Sequence, residues 1–263
     1  MIYMKNIVAV LVLVGLVVGC GKKDDDSANP ASDSAPLTGI AAEAAANAKA
    51  ENDAAVAKVQ AAAKKAASAA KLAAALKTPT TEYERLETGE QAAYLYYAVA
   101  NLPTDYSVIA SIVSEKYRYS SDGFEKKEII NTLKPAVDEK ISAYKAKPIG
   151  YVRANAELGA FDFERKGFTI GAVGAESTYY SFGSYQLQFK NAAKVNFIAV
   201  NDEAISRELE SMRAGYSNNP IANVYFLADD ADLDGASIKA LITQVDIVDK
   251  SGRVLATIQP KVN

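Results

Sequence analysis

The sequence predicts an α+β fold: helices first, then a mostly antiparallel β-sheet with one inserted helix, all preceded by a long alanine-rich helix. Three observations lead there. Residues 40–77 are more than half alanine and contain neither glycine nor proline. Between residues 82 and 148 the apolar positions recur at helical spacing. After Pro148 the period shifts toward two, in short runs separated by turn residues. Helical and strand segments segregated in this way indicate α+β rather than alternating units around a parallel sheet.

The first twenty residues are a separate problem. Lys5 gives a positive start, Ile7 to Val18 is almost purely aliphatic, and Val17-Val18-Gly19-Cys20 follows. The apolar run is about a dozen residues, short of the roughly 20 needed to span a bilayer as a helix. That length suits the apolar part of a secretory signal peptide. The last four residues resemble the lipobox of bacterial lipoproteins. The resemblance implies that the Cys20 thiol receives a diacylglyceryl group, that residues 1–19 are removed, and that the new amine is acylated. Two or three acyl chains hold a protein on a membrane far better than one, since each buried methylene contributes about 0.8 kcal/mol. Gly21 resembles the default pattern that sends such proteins to the outer membrane; the folded part would face the periplasm or the exterior.

Residues 20–39, rich in Asp, Ser, Pro and Ala, offer almost nothing to bury and read as a disordered tether. Residues 40–79 read as a spacer helix. Alanine is the best helix former, the acids Glu43, Glu51 and Asp53 precede the lysines from Lys58 to Lys77, and Thr78-Pro79 is a stop. At about 1.5 Å per residue the helix would be roughly 55 Å long. Lys49, Asp53, Gln60, Lys64, Ser68 and Lys71 trace one polar stripe, with Val56, Val59, Leu72 and Leu76 opposite. The alternative is a small-residue helix packed on a partner or on its own copy.

Residues 80–263 carry the pattern of a packed domain. Thr81-Glu82-Tyr83-Glu84 matches a capping box, which would start a helix running to about residue 100. Pro103-Thr104 would start another through Tyr106, Ile109, Val113 and Tyr117. Asp122 would cap a third, burying Ile130, Leu133, Val137, Ile141 and Tyr144, with a kink or restart at Pro135. The runs 151–157, 160–165, 167–173, 185–189 and 194–200 read as short strands, with Phe161 and Phe163 sharing a face. A helix over 202–214 interrupts them, capped by Asn201 and stopped by Gly215. Three more strands lie at 221–228, 240–249 and 253–259, the last two joined at Lys250-Ser251-Gly252. This stretch resembles bacterial envelope proteins of the domain family DUF4852, through "YVRANAELGAFDFE" and "IKALITQVDIVDKSGRVLATI". That resemblance implies no activity.

Composition removes several functions. The chain of 263 residues has no His and no Trp, one Cys and fifteen Tyr. Without imidazole or a second thiol, Ser-His-Asp and Cys-His nucleophile systems, the usual zinc sites and intrachain disulfides are excluded. Charge is nearly balanced, with 29 basic and 32 acidic residues, so a broad nucleic-acid footprint is not expected. No phosphate-binding glycine loop is present, and no cofactor is expected beyond weak calcium.

Two constellations remain. Asp230, Asp232 and Asp234, followed by Gly235, match the opening of a calcium loop, but Leu241 stands where a bidentate Glu belongs. Such a site would be weak, at roughly 0.1 to 1 mM, and a polar connection between strands is the plainer alternative. Tyr179, Tyr180 and Tyr185 lie in a Gly- and Ser-containing loop, where tyrosine's apolar ring and polar tip suit glycan or protein contacts; loop packing is the alternative. The combined expectation is a lipid-anchored envelope protein with a non-catalytic binding or assembly role toward an envelope protein or glycan. A cofactor-independent hydrolase using carboxylates is the alternative.

Overall fold

A computed structural model describes residues 38–174, 179–215, 219–233 and 235–261. The signal segment, Cys20 and the tether lie outside the described residues. The chain divides between Ala55 and Val56, within the first helix, α1 (Thr38–Ala75). The second unit, Val56 onward, holds the sheet.

Among the described residues, five α-helices and nine strands follow α1. They are β1 (Glu84–Arg85), α2 (Gly89–Ala100), α3 (Tyr106–Val113), α4 (Glu115–Tyr119), α5 (Gly123–Ala146), β2 (Ile149–Asn155) and β3 (Gly167–Thr169). Then come β4 (Tyr179–Phe182), β5 (Tyr185–Phe189), β6 (Phe197–Ala199), α6 (Glu203–Ala214), β7 (Ile221–Asp232), β8 (Ser237–Val248) and β9 (Val254–Ile258). The main sheet runs β1-β2-β7-β8-β5-β4, and β9 also pairs with β8. All of its pairings are antiparallel except β1 with β2 and β5 with β8. Strands β3 and β6 form a small second sheet. The architecture is therefore mixed α+β, with helices ahead of a curled, mostly antiparallel sheet.

Helix α2 lies in the curl. After Glu90 and Gln91 its side chains are alanine, tyrosine, leucine and valine, and Ala92, Ala93 and Leu95 are buried to 1% exposure or less. They meet Val224, Phe226, Leu187 and Ile242 in one continuous core, to which α5 adds Val137, Leu133, Ile141 and Tyr144. The curl brings the sheet's two rims toward each other. Val152 and Arg153 on β2 and Tyr180, Ser181 and Phe182 on β4 line one narrow gap. Gly89 closes one end of it, since a Cβ there would sit 3.3 Å from the Phe182 carbonyl oxygen.

Several expectations are corrected in detail. The capping box that starts α2 is Thr88 with Gln91, not Thr81 with Glu84. Pro79 leads instead into a single 3-10 turn at Thr80–Glu82, and Glu84 and Arg85 are taken up by pairing with β2. The helix expected from Pro103 is two helices, because Ser114 is extended and its side chain caps α4 by accepting from the Tyr117 amide. Pro135 does not restart a helix, since α5 is one helix through it. Pro135 and Asn131 are both exposed, so the carbonyl freed by the missing N–H faces water. Asp202, not Asn201, caps α6. Residues 160–165 form no strand: Asp162 Oδ1 accepts from the Glu164 and Arg165 amides, making a tight turn.

The outer face of the sheet carries a smaller core of Ala75, Tyr83, Ile149, Tyr225 and Leu227. Here α1 meets the sheet, and two irregularities in the β7–β8 pairing shape the contact. One leaves Asp229 as an extra residue in β7, and the other leaves Thr243 as an extra residue in β8. A bulge breaks the alternation of faces. Consecutive residues Asp229 and Asp230 therefore both reach α1. Ser68 Oγ donates to Asp229 at 2.8 Å, and Lys64 Nζ donates to Asp230 at 2.6 Å. Thr243 and Gln244 likewise both face the end of α1. Lys64 and Ser68, placed by the sequence on a solvent stripe, are thus the docking residues. Val59 is 70% exposed, and every side chain from 56 to 67 is exposed.

The burial pattern separates two kinds of position. Phe226→Ala should lower unfolding free energy by about 3–5 kcal/mol, while Val59→Ala should change it by less than about 0.5 kcal/mol. Urea denaturation of the two variants checks both.

Candidate functional site

Two concave regions of the second unit have the chemistry of a site. The first lies where the start of α2 and the end of α5 flank β1. It encloses about 480 Å³ and brings Glu82, Glu84 and Glu90 around one space with Tyr94 and Tyr144. Each carboxylate is already engaged. Lys147 Nζ donates to Glu82 at 2.6 Å, Gln91 Nε2 donates to Glu84 at 3.3 Å, and the Tyr94 hydroxyl donates to Glu90 at 2.8 Å. Burial, then the Glu90 carboxylate, pushes the Tyr94 hydroxyl far above the usual tyrosine range. Burial, then Glu84, pushes Tyr144 up to about 12. Both phenols stay protonated near neutral pH and serve as donors to the carboxylates. The cleft is a polar, internally paired surface.

The second region is a groove of about 730 Å³ between the 162–166 turn and α6. The turn is built to hold its shape. Besides the Asp162 side-chain bonds, the Asp162 and Gly167 backbones bond each other in both directions, at 2.8 and 3.2 Å. Lys166 takes a positive φ of 53° to close it. A Cβ on Gly167 would come 2.1 Å from the Ile198 carbonyl oxygen, so only glycine lets the turn lie against β6. At its tip, Phe163 is 85% exposed. Its ring meets Phe161 edge-on at 5.1 Å, and Phe161 meets the fully buried Phe168 at 5.1 Å. A ladder of three rings thus runs from core to solvent. Arg165 stacks over Phe197, 3.5 Å from its centroid. Across the groove α6 presents Glu203, Ser206, Arg207 and Glu210, spaced three and four apart so that they share one face. Arg207 Nη2 donates to Glu203 at 2.7 Å. The hydrogen bond from Arg213 holds the Glu210 carboxyl below its ordinary range, against burial.

The residues singled out in the sequence lie elsewhere. Tyr179 and Tyr180 belong to β4, and Tyr185 begins β5, so the "loop" is a hairpin turning at Gly183, φ +62°. Tyr185 is buried, its ring 5.3 Å from Tyr96. The Tyr180 hydroxyl donates to the Ala172 carbonyl at 2.8 Å, and burial pushes its ionisation up to about 12. These two rings fill the core. Asp230 and Asp232 sit at the end of β7. Burial acts to raise the Asp230 pKa, but Lys64 outweighs it and holds the carboxyl below its ordinary range. Lys239 approaches Asp232 at 3.6 Å. Asp234 and Cys20 lie outside the described residues. Among the described residues, no group of three or more carboxylate, thiol or imidazole side chains is placed to hold a metal ion.

Sequence reasoning noticed Phe161 and Phe163 but read their alternation as a strand. The signal that points to the turn is Asp162 two and three residues before the amides it accepts from, an Asx pattern. No family model, no curated protein and no solved structure matches the chain.

The raised phenols give the fold a pH signature. The unfolded chain titrates its tyrosines near about 10, while Tyr144 and Tyr180 in the folded state titrate near about 12. In that window the folded state binds more protons, so stability is complete below about pH 10 and falls toward pH 12. Denaturant midpoints measured across this range should show the decline, and Tyr144→Phe should make it shallower.

Proposed function

We propose that the chain is a lipid-anchored protein of the bacterial cell envelope, held in the outer membrane through acylated Cys20 and facing the periplasm. Its folded unit binds a partner rather than transforming one. The Val17–Cys20 lipobox, following a short apolar run, supports the address. The binding role rests on Phe163: a large apolar ring at the tip of a rigid turn, exposed beside the largest groove described. A ring so placed contributes little to the core and is available to an occupant. Helix α1 then serves as the spacer between anchor and domain, fixed at its far end by Lys64 and Ser68.

A cofactor-independent hydrolase is the second reading. Its support is the convergence of Glu82, Glu84 and Glu90 on one cleft, the material for general acid and base work. Hydrolysis of an ester or glycoside that disappears in both Glu84→Gln and Glu90→Gln would favour it.

The anchor is tested at Cys20. In cells, Cys20→Ser should abolish incorporation of labelled fatty acid and move the protein from the membrane to the soluble fraction, or leave it unprocessed. Fatty-acid labelling that persists in Cys20→Ser overturns the reading.

A further inference from the structure

We infer that the groove between the 162–166 turn and α6 takes a neutral sugar ring, as part of a neutral oligosaccharide. The inference rests on the binding reading above and names its ligand class. One wall is aromatic, formed by Phe161 and Phe163; the other is polar, formed by Glu203, Arg207 and Glu210 on α6, with Lys166 at the rim. Both acids are paired along α6, Glu203 with Arg207 and Glu210 with Arg213, so these four charges on the polar wall cancel.

That balance decides between occupants. An anionic group would be drawn by Lys166 and Arg207 but repelled by Glu203 and Glu210, and a cationic group would meet the reverse. A wholly apolar occupant, such as the greasy face of a helix, would strip water from the Glu203–Arg207 pair and give no hydrogen bonds in return, which is costly. A pyranose meets both walls. Its C–H face lies against the Phe163 ring, and its hydroxyls replace water at the carboxylates and the guanidinium, donating to the first and accepting from the second. The groove also lies within the roughly 300–1,000 Å³ common for small-ligand sites. The turn's side-chain and backbone bonds hold Phe163 in place before the ligand arrives, which lowers the cost of ordering it.

The test is saturation-transfer NMR on the full folded protein with three neutral tetrasaccharides, the β-1,4-linked glucose and N-acetylglucosamine oligomers and the α-1,4-linked glucose oligomer. At least one should bind at millimolar concentration or tighter. Phe163→Ala should weaken it roughly tenfold or more, and Phe163→Tyr, which keeps the ring, should retain it. Because Phe163 is 85% exposed, the melting temperature should not change in either variant. The inference is overturned if none of the three binds, or if binding survives Phe163→Ala unchanged. An apolar peptide binding there while the sugars do not would overturn the sugar ligand and leave the binding reading in place.

Discussion

The middle of α2 has almost no contact with water: Ala92, Ala93, Tyr94, Leu95, Tyr96 and Ala98 are all buried. Ala92, Ala93 and Leu95 are enclosed, and Tyr94 and Tyr96 are buried beside them, so the chain must supply walls around the middle of a twelve-residue helix whose first turn stays open to water. The sheet supplies most of it by curling, and α5 closes the remainder. Alanine at positions 92 and 93 makes the arrangement possible, because a small side chain lets strand and helix backbones approach closely. Each large apolar group that α2 and the sheet remove from water contributes about 1.5–3 kcal/mol. The strand order, the long β7–β8 hairpin and the placement of α5 all follow from that enclosure.

The outer face of the same sheet obeys a different rule. There the second core is small, and α1 is held largely by polar links. Asp229 is a carboxylate whose side chain is only 2% exposed, and it is kept there by the Ser68 hydroxyl and the Lys190 ammonium. Burying a charge is costly unless it is paired and hydrogen-bonded. Both partners are present, and a β-bulge turns the residue toward them. Asp229 and Asp230, at the start of the segment whose spacing resembles a calcium loop, form the part of β7 that receives the helix.

How much of this was legible depended on the physics behind each signal. Long periodic segments were clear. The helices at α5 and α6 and the strands at β2, β5, β7, β8 and β9 all follow from spacing, and Gly252, φ +88°, sits in the predicted hairpin turn. Local signals that occur twice were ambiguous. Thr81 and Thr88 both begin capping-box patterns, and the choice fell to β1, whose pairing with β2 no local pattern announces. Phe161 and Phe163 alternate as a strand would, but the Asp162 side chain competes for the backbone amides and wins. Tyr185 alternates with Leu187 and Phe189 and is buried with them, whereas Tyr180 sits in a strand too short for alternation to give its face. Neither concave region could be read beforehand, because each joins segments far apart in the chain.

The narrow gap between β2 and β4 has a consequence for association between molecules. Free strand rims are templates on which another chain can add hydrogen bonds, the route to ordered aggregates. Here two rims look at each other across a space of about 260 Å³, with Arg85 and Arg153 at its border. A foreign strand approaching from outside meets guanidinium groups and too little room. At these two rims the conformer at risk of fibril growth is therefore not the native one. It is any state in which the first turn of α2 has drawn back from Phe182 and let the two rims part.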